Sequence, residues 1–320
     1  MQVKHLVTLK DYDGSWIRRN TGLAIRIKED MKPGGSIMRS SSSYRNKLEG
    51  KRLVSLFEKP SLRTRVSFAF GMPLLGGFAE TIDTKGMHFA TSDAVAEIKS
   101  LSSLCDIIMI RPLKHATVAL FAQHSTVPVI NGLSESDHPC QALADVMTIH
   151  EMKGTLEGVK VVYLGIANNV SNSLSLACVE SGAQFVLCTP PGEKGRDPDA
   201  KDPALMARLK ASGRYTEEPD VAKAVKGAHI LYTDTWVNME HLGNAELLAA
   251  RKELLMPYQL NKKVMEMAGP KALSMHDLPA HTGLEIDEYA LHGPRSIAFR
   301  QAENRMWAQM AVMIRLLGEE

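Results

Sequence analysis

The feature that most constrains this chain is a rhythm that runs twice. Apolar runs of strand length alternate with stretches of helical period: "RLVSLF" (52–57), "FAETI" (78–82), "DIIMI" (106–110) and "VPVIN" (127–131) in the first half. After "HEMKGTLEG" the pattern restarts with "KVVYLG" (160–165), "QFVLC" (184–188), "HILYT" (229–233) and "ALSM" (272–275). Strands joined by crossover helices lie parallel in a sheet covered on both faces. The pattern therefore predicts an α/β protein of two doubly wound parallel-sheet domains, with the division near residue 150 and the second domain running to 298. The 320 residues are about twice the length of an ordinary domain, which agrees. The closing stretch, 299–320, carries Met306, Met310, Met313 and Leu317 at steps of three and four, the mark of an amphipathic helix whose methionines pack core.

Charge and composition remove several classes of function. Thirty-eight basic residues against 36 acidic ones leave a net charge of +2, without the basic excess of a surface that coats nucleic acid. No apolar run approaches the roughly 18 to 20 residues of a membrane span, so neither nucleic acid nor membrane is an expected partner. The four cysteines, Cys105, Cys140, Cys178 and Cys188, have no paired spacing and suggest neither zinc nor disulfides. Reduced thiols, and an N-terminus ("MQVKHLVTLKDYDGSW") with acidic residues and no long apolar core, point to the cytoplasm.

In "EKPSLRTRVSFAF" (58–70) donors crowd ahead of a helical run. Ser61 follows Pro60 and is placed to cap the helix, which leaves the amides of residues 62–64 without intrahelical partners. Free amides at the positive end of a helix attract an anion; Thr64 adds a hydroxyl, and Arg63 a planar fork matched to phosphate oxygens. A capped helix with a solvated basic end explains the same residues equally well. Arg65, two positions from Arg63, projects to the opposite side and suits a structural ion pair, and Pro73 ends or kinks the helix.

The other candidates also stand at strand ends or helix tips. "DIIMIRP" puts Arg111 directly after a buried strand, where ligands of open α/β sheets collect. In "SDHPCQALADVM" His138 and Gln141 open a helix with Pro139 in an early position, and a histidine there is either a helix-end hydrogen-bonding group or a catalytic one. Cys140 has no base placed to activate it. In the second half "LGIANNVSNSL", "YTDTWVNME" and "SMHDLPAHTG" each follow a predicted strand and so fall at one edge of one sheet. Asn168 and Asn169 suit a carboxylate or amide, Asp234 a cation such as an amine, but taken singly each better suits a turn or helix cap. "YLGIANN" lacks the glycine spacing of a dinucleotide loop, and "TPPGEKGRDPDAKDP" (189–203) reads as a surface loop.

Taken in order, these stretches resemble the aspartate/ornithine carbamoyltransferase superfamily from about residue 50 to the C-terminus, and its ornithine branch most. "SLRTR" matches the phosphate motif, "HPCQALAD" the carbamoyl motif, "HDLPAH" the acceptor-side loop, and "GPRSIAFRQAENRMW" the ornithine branch. The resemblance implies that residues 1–149 bind carbamoyl phosphate, that 150–298 bind the amino-acid acceptor, and that the C-terminal helix packs back on the first domain. It implies transfer of the carbamoyl group to an amine, with L-ornithine giving L-citrulline in arginine biosynthesis. The alternatives are a lysine, diamine or specialised-metabolite acceptor, or a non-catalytic relative that binds the donor.

By the same resemblance Ser61, the Leu62 amide, Arg63 and Thr64 surround the phosphate, and Arg111 bridges phosphate and carbamoyl oxygen. His138 and Gln141 complete the carbamoyl site, and Arg305 joins the substrate-binding set. Asn169, Asp234, Asn238, the Met239 amide and Leu278 hold the acceptor, and His88 of "KGMHFATS" reaches into a neighbouring subunit of a homotrimer. Arg63, Arg111, His138 and Asp277 are the implied catalytic set, and no covalent intermediate, cofactor or metal is required.

Two departures fall on the acceptor side. The ornithine branch usually has Cys after the His of its acceptor loop, and here Asp277 stands there. It normally reads Ser-Met-Gly after its Asp-x-Trp segment, where this chain reads Asn238, Met239, Glu240. Asp277 either takes a proton from the reacting amine or marks a pocket for a different nucleophile.

Overall fold

The computed structural model describes residues 3–35, 41–84, 93–237 and 243–319. The chain divides into two compact units, one of Met1–Met147 with Glu303–Glu320, the other of Thr148–Ala302.

The first unit runs α1 (Gly14–Met31), β1 (Arg52–Phe57), α2 (Leu62–Leu74), β2 (Phe78–Asp83), α3 (Ala94–Leu104), β3 (Ile107–Arg111), α4 (His115–His124) and β4 (Val129–Asn131), then enters α5 (Pro139–Lys153). Its four described strands are parallel in the order β2-β1-β3-β4, with Leu53 opposite Ala79 on one side and Ile107 on the other. Strand order reverses between β1 and β3, so the crevice beyond their C-terminal ends is where a ligand of such a sheet sits. That places the loop leading to Ser61 beside Arg111. At the far edge Leu6 donates its amide to Val129 O and accepts from Asn131 N, both at 2.8 Å, which covers β4.

Leu56, Ile98, Ile108, Ile110, Val118 and Phe121 form a buried cluster of this unit's core. The C-terminal residues pack here too. A Cβ on Gly71 would lie 3.1 Å from Met310 Cγ, so the absence of a side chain on α2 lets the methionines of α12 (Ala298–Leu317) come close. On α1, Lys28 Nζ donates to Asn304 Oδ1 at 2.7 Å and the Arg315 guanidinium lies 4.8 Å from the centre of the Trp16 ring.

The second unit contains β5 (Lys160–Leu164), α6 (Asn169–Glu180), β6 (Gln184–Cys188), α7 (Pro203–Ala211), β7 (Tyr215–Glu217), α8 (Val221–Val225), β8 (Ile230–Thr233), α9 (Ala245–Leu255), α10 (Lys262–Ala268), β9 (Leu273–His276) and α11 (Glu288–His292). All described strands are parallel in the order β7-β6-β5-β8-β9, which puts this unit's reversal between β5 and β8. Val162, Leu164, Val186, Leu231, Trp236 and Met265 are among its buried apolar residues.

Differences from the sequence reading have local causes. β3 and β9 each begin one residue later than the apolar run and take in Arg111 and His276. β4 begins only at Val129 because Pro128 has no amide to give the ladder. β7 shows no apolar run, since only one residue of "YTE" is buried. Residues 189–203 are less free than a surface loop: they hold two 3-10 turns, and Thr189 Oγ1 donates to Gly195 O at 2.7 Å. A Cβ on Gly195 would fall 2.0 Å from Pro190 O, so that fold-back admits glycine alone. Among the described residues no helix is long and apolar enough to cross a membrane.

Candidate functional site

In the first unit the site is built around the Thr64 hydroxyl. Ser61 caps α2, its Oγ accepting the Thr64 amide at 3.3 Å. Leu62 opens the helix with its side chain exposed, so its backbone amide is what it offers to this end. Arg65 forms the structural pair expected of it, with Asp83, and stacks over Phe57. Arg111 at the end of β3 donates to Thr64 Oγ1 at 3.3 Å, and Arg305 from α12 donates to the same oxygen at 3.1 Å. Two guanidiniums occupy the acceptor capacity of that hydroxyl, whose own hydrogen is left for an acceptor group.

Arg305 also donates to Gln141 Oε1 at 2.6 Å, and Gln141 Nε2 donates to Asp145 Oδ1 at 2.8 Å. The amide of Gln141 is thereby held in one orientation at the start of α5. Thr64, His138, Gln141 and Arg305 are all buried, while Arg63 and Arg111 are half-buried. Burial, then the charges of Arg305, Arg111, Arg63 and Lys59, hold His138 well below the ordinary histidine range. His138 is therefore a neutral imidazole among cations, suited to hydrogen-bond an uncharged carbonyl while the arginines take an anion. Burial pushes the Cys140 thiol up to about 12, which removes it as a nucleophile at neutral pH.

In the second unit the ends of β5, β8 and β9 come together. Asn168 caps α6 in a reciprocal box with Ser171, and its Oδ1 also accepts from Tyr163 Oη at 3.0 Å. Its Nδ2 donates to Asp234 Oδ2 at 2.6 Å, while the Thr235 amide donates to Asp234 Oδ1 at 2.6 Å. Asn168 is thus committed to a cap and to Asp234, and Asp234 keeps lone pairs for a cation. Asn169 is the first residue of α6, half-buried, with Oδ1 near its neighbour's amide on Val170 at 3.0 Å. Burial, then the charges of Asp234 and Asp277, raise Tyr163 well above the ordinary tyrosine range, so it stays a neutral donor.

His276 is fully buried at the end of β9; its Nδ1 accepts the Leu278 amide at 2.8 Å and lies 3.5 Å from Asp277 Oδ1, and its Nε2 faces Glu285 Oε1 at 3.2 Å. Asp234, His276 and Asp277 offer ligand atoms within 4.8 Å of one another. Both imidazole nitrogens are already committed within the protein, so the group suits an organic cation better than a metal ion. His88, Asn238 and Met239 lie outside the described residues. Sequence reading did not single out Tyr163, Asp145 or Glu285: nothing local marks a buried polar residue whose partner is distant in the chain, though Glu285 does follow the acceptor loop closely.

Two family models divide the chain between them. Residues 4–151 match the carbamoyl-P binding domain, and residues 157–316 the Asp/Orn binding domain, of aspartate/ornithine carbamoyltransferase. The anabolic ornithine carbamoyltransferase of Pyrococcus furiosus is 43% identical over 274 residues, 85% of either chain. The ornithine carbamoyltransferase of Archaeoglobus fulgidus is 35% identical over 319 residues, 99% of either chain. The solved Pyrococcus furiosus ornithine carbamoyltransferase superposes with a TM-score of 0.89 at 39% identity, covering 98% of this chain and 97% of that one. On sequence and on fold alike, this chain belongs to the aspartate/ornithine carbamoyltransferase family.

Proposed function

We propose that this chain transfers the carbamoyl group of carbamoyl phosphate to the side-chain amine of L-ornithine, releasing L-citrulline and phosphate in arginine biosynthesis. The observation that carries the reading is the convergence of Arg111 and Arg305 on Thr64 Oγ1 at the tip of α2, next to a neutral His138. Relatives named ornithine carbamoyltransferase support the choice of acceptor.

In this reading Ser61, the Leu62 amide, Arg63 and Thr64 hold the phosphate, and Arg111 reaches phosphate and carbamoyl oxygen together. His138 and Gln141 orient the carbamoyl group, Gln141 in the pose that Arg305 and Asp145 impose on it. As the amine attacks the carbamoyl carbon, negative charge builds on the carbamoyl oxygen and then on the departing phosphate. Pre-aimed donors stabilise that charge, and losing one costs about a hundredfold or more in rate. Asp234, with Asn169, Asn238, the Met239 amide and Leu278, receives the amino-acid end. Asp277 takes the proton from the amine.

The test is phosphate release from carbamoyl phosphate with a panel of amines. Turnover is expected with ornithine; none with ornithine beside clear turnover with another amine overturns the reading. A second reading keeps the donor and changes the acceptor to lysine, a diamine or another amine. It is favoured by one observation, the Asp277 carboxylate beside Asp234 where relatives of the ornithine branch carry a thiol. Donor binding without transfer to any amine supports a non-catalytic relative instead.

The functional assembly in this proposal is a cytoplasmic homotrimer with shared sites. Leu62, Val66 and Phe70 stand 73, 39 and 60% exposed at successive turns of α2, and Phe78 is 67% exposed on the edge strand β2. An apolar stripe continuous with an edge suits burial against a second copy. Replacing Phe70 with Asp is expected to shift the mass measured by light scattering from trimer to monomer; an unchanged mass rejects this face as the interface, and a monomeric parent protein rejects the assembly. All four cysteines are buried thiols, which supports a reducing compartment.

A further inference from the structure

Glu285 is 0% exposed, yet it is held as a carboxylate. Burial raises its pKa, but hydrogen bonds from His276 and His281 outweigh that and leave it at about 2. Its Oε1 takes the Nε2 of His276 at 3.2 Å and the backbone amide of His281 at 2.5 Å, and faces His281 Nδ1 at 3.4 Å. A buried charge persists only where it is paired, and both partners here belong to the loop that carries Asp277 and Leu278.

The ring of His276 leaves no freedom in where its proton sits. The Leu278 amide is a permanent donor, and it points at Nδ1 from 2.8 Å, so Nδ1 must carry a lone pair. Nε2 then carries the hydrogen, which Glu285 accepts. An imidazolium, or the other tautomer, would set two N–H groups head to head. Asp277 Oδ1, 3.5 Å from Nδ1, therefore faces a lone pair instead of an N–H. Its charge is not cancelled from that side. The Glu285 carboxylate reaches the other loop through His281, whose Nδ1 lies 3.2 Å from the hydroxyl of Thr235, the residue after Asp234.

We propose that Glu285 is a positioning residue for the acceptor amine: it accepts the Nε2–H of the tautomer that the Leu278 amide imposes on His276 and, by holding the His276 ring and His281 in place, fixes where Asp277 and, through Thr235, Asp234 present their carboxylates. What those carboxylates bind rests on the function proposed above; the tautomer does not.

Nitrogen NMR of the full-length protein with labelled histidine reads the tautomer directly, the His276 signals being assigned with H276Q. Nε2 protonated and Nδ1 bare at neutral pH is the expected result; the opposite tautomer, or an imidazolium, overturns the proposal. E285A is expected to release the His276 ring from its place and lower kcat/KM for the amine by about a hundredfold, the scale of a 1 Å misplacement, with carbamoyl phosphate affinity unchanged. E285Q keeps an acceptor oxygen for Nε2–H and is expected to hold the ring and restore most of kcat/KM. A folded E285A with unaltered kcat/KM also overturns the proposal, and if E285A does not fold the parent spectrum decides. Absence of turnover with ornithine would sink the choice of acceptor and leave the tautomer measurement standing.

Discussion

The side-chain amide of Asn168 donates to the carboxylate of Asp234 at 2.6 Å, across 66 residues of sequence. The same Asn168 caps α6, so one side chain both starts a helix and aims the carboxylate at the reversal point of the second sheet. Replacing it with alanine removes both functions at once. N168A is expected to lose about 1 kcal/mol of stability from the cap alone. It is also expected to raise KM for the amine with donor affinity unchanged, as steady-state kinetics and donor titration calorimetry would read.

Arg305 serves two acceptors, Gln141 and Thr64, from a fully buried position. Lysine carries a point charge and cannot reproduce the planar fork. R305K is therefore expected to lose about 1.5–3 kcal/mol in urea denaturation and to weaken carbamoyl phosphate binding at least tenfold, because Gln141 loses its imposed orientation. Unchanged donor affinity in calorimetry would reject the coupling.

His138 predicts a pH dependence of stability with a definite sign. Its folded pKa lies well below its ordinary value of 6.5, chiefly through burial and then through the neighbouring arginines. Below pH 6.5 the unfolded chain binds a proton that the folded one refuses. Stability is therefore complete above that value and is lost as pH falls toward the folded pKa. Denaturation between about pH 5 and pH 7.5 is expected to show this slope in the parent protein and a shallower one in H138Q.

Glu285 acts at lower pH with the carboxylate sign. Its pKa falls from 4.5 in the unfolded chain to about 2 in the folded one, so its contribution is full above 4.5 and is lost as pH drops through that window. The contribution is on the order of 3 kcal/mol. The stability difference between the parent protein and E285Q, measured by denaturation over the acid limb, should shrink as pH falls; a constant difference would show that Glu285 is not ionised when buried.

What could be read from residues alone was whatever depends on neighbours within a few positions. The two cycles of apolar run and helical period declared a parallel α/β architecture, the "RLVSLF" and "QFVLC" strands match their observed bounds, and Ser61 stands as the cap that its place after Pro60 implied. Arg65 turned from Arg63 to an ion pair because side chains two apart on a helix leave in different directions. Most candidates for chemistry were visible for the same reason, since Ser61, Arg111, His138, Asn169, Asp234 and Asp277 stand at strand ends or helix tips, whereas Arg305 lies within α12. Their partners were not. Strand order is decided by which way each crossover packs, so the reversals that bring β1 to β3 and β5 to β8 have no signature in any short window. Arg305 meets Thr64 across 241 residues, and Asn168, which takes the helix-cap role its place after a strand suggested, is also spent on Asp234. Sequence periodicity records which face of an element is buried; only the folded chain decides which buried polar groups must satisfy one another, because that pairing is a property of the space between elements.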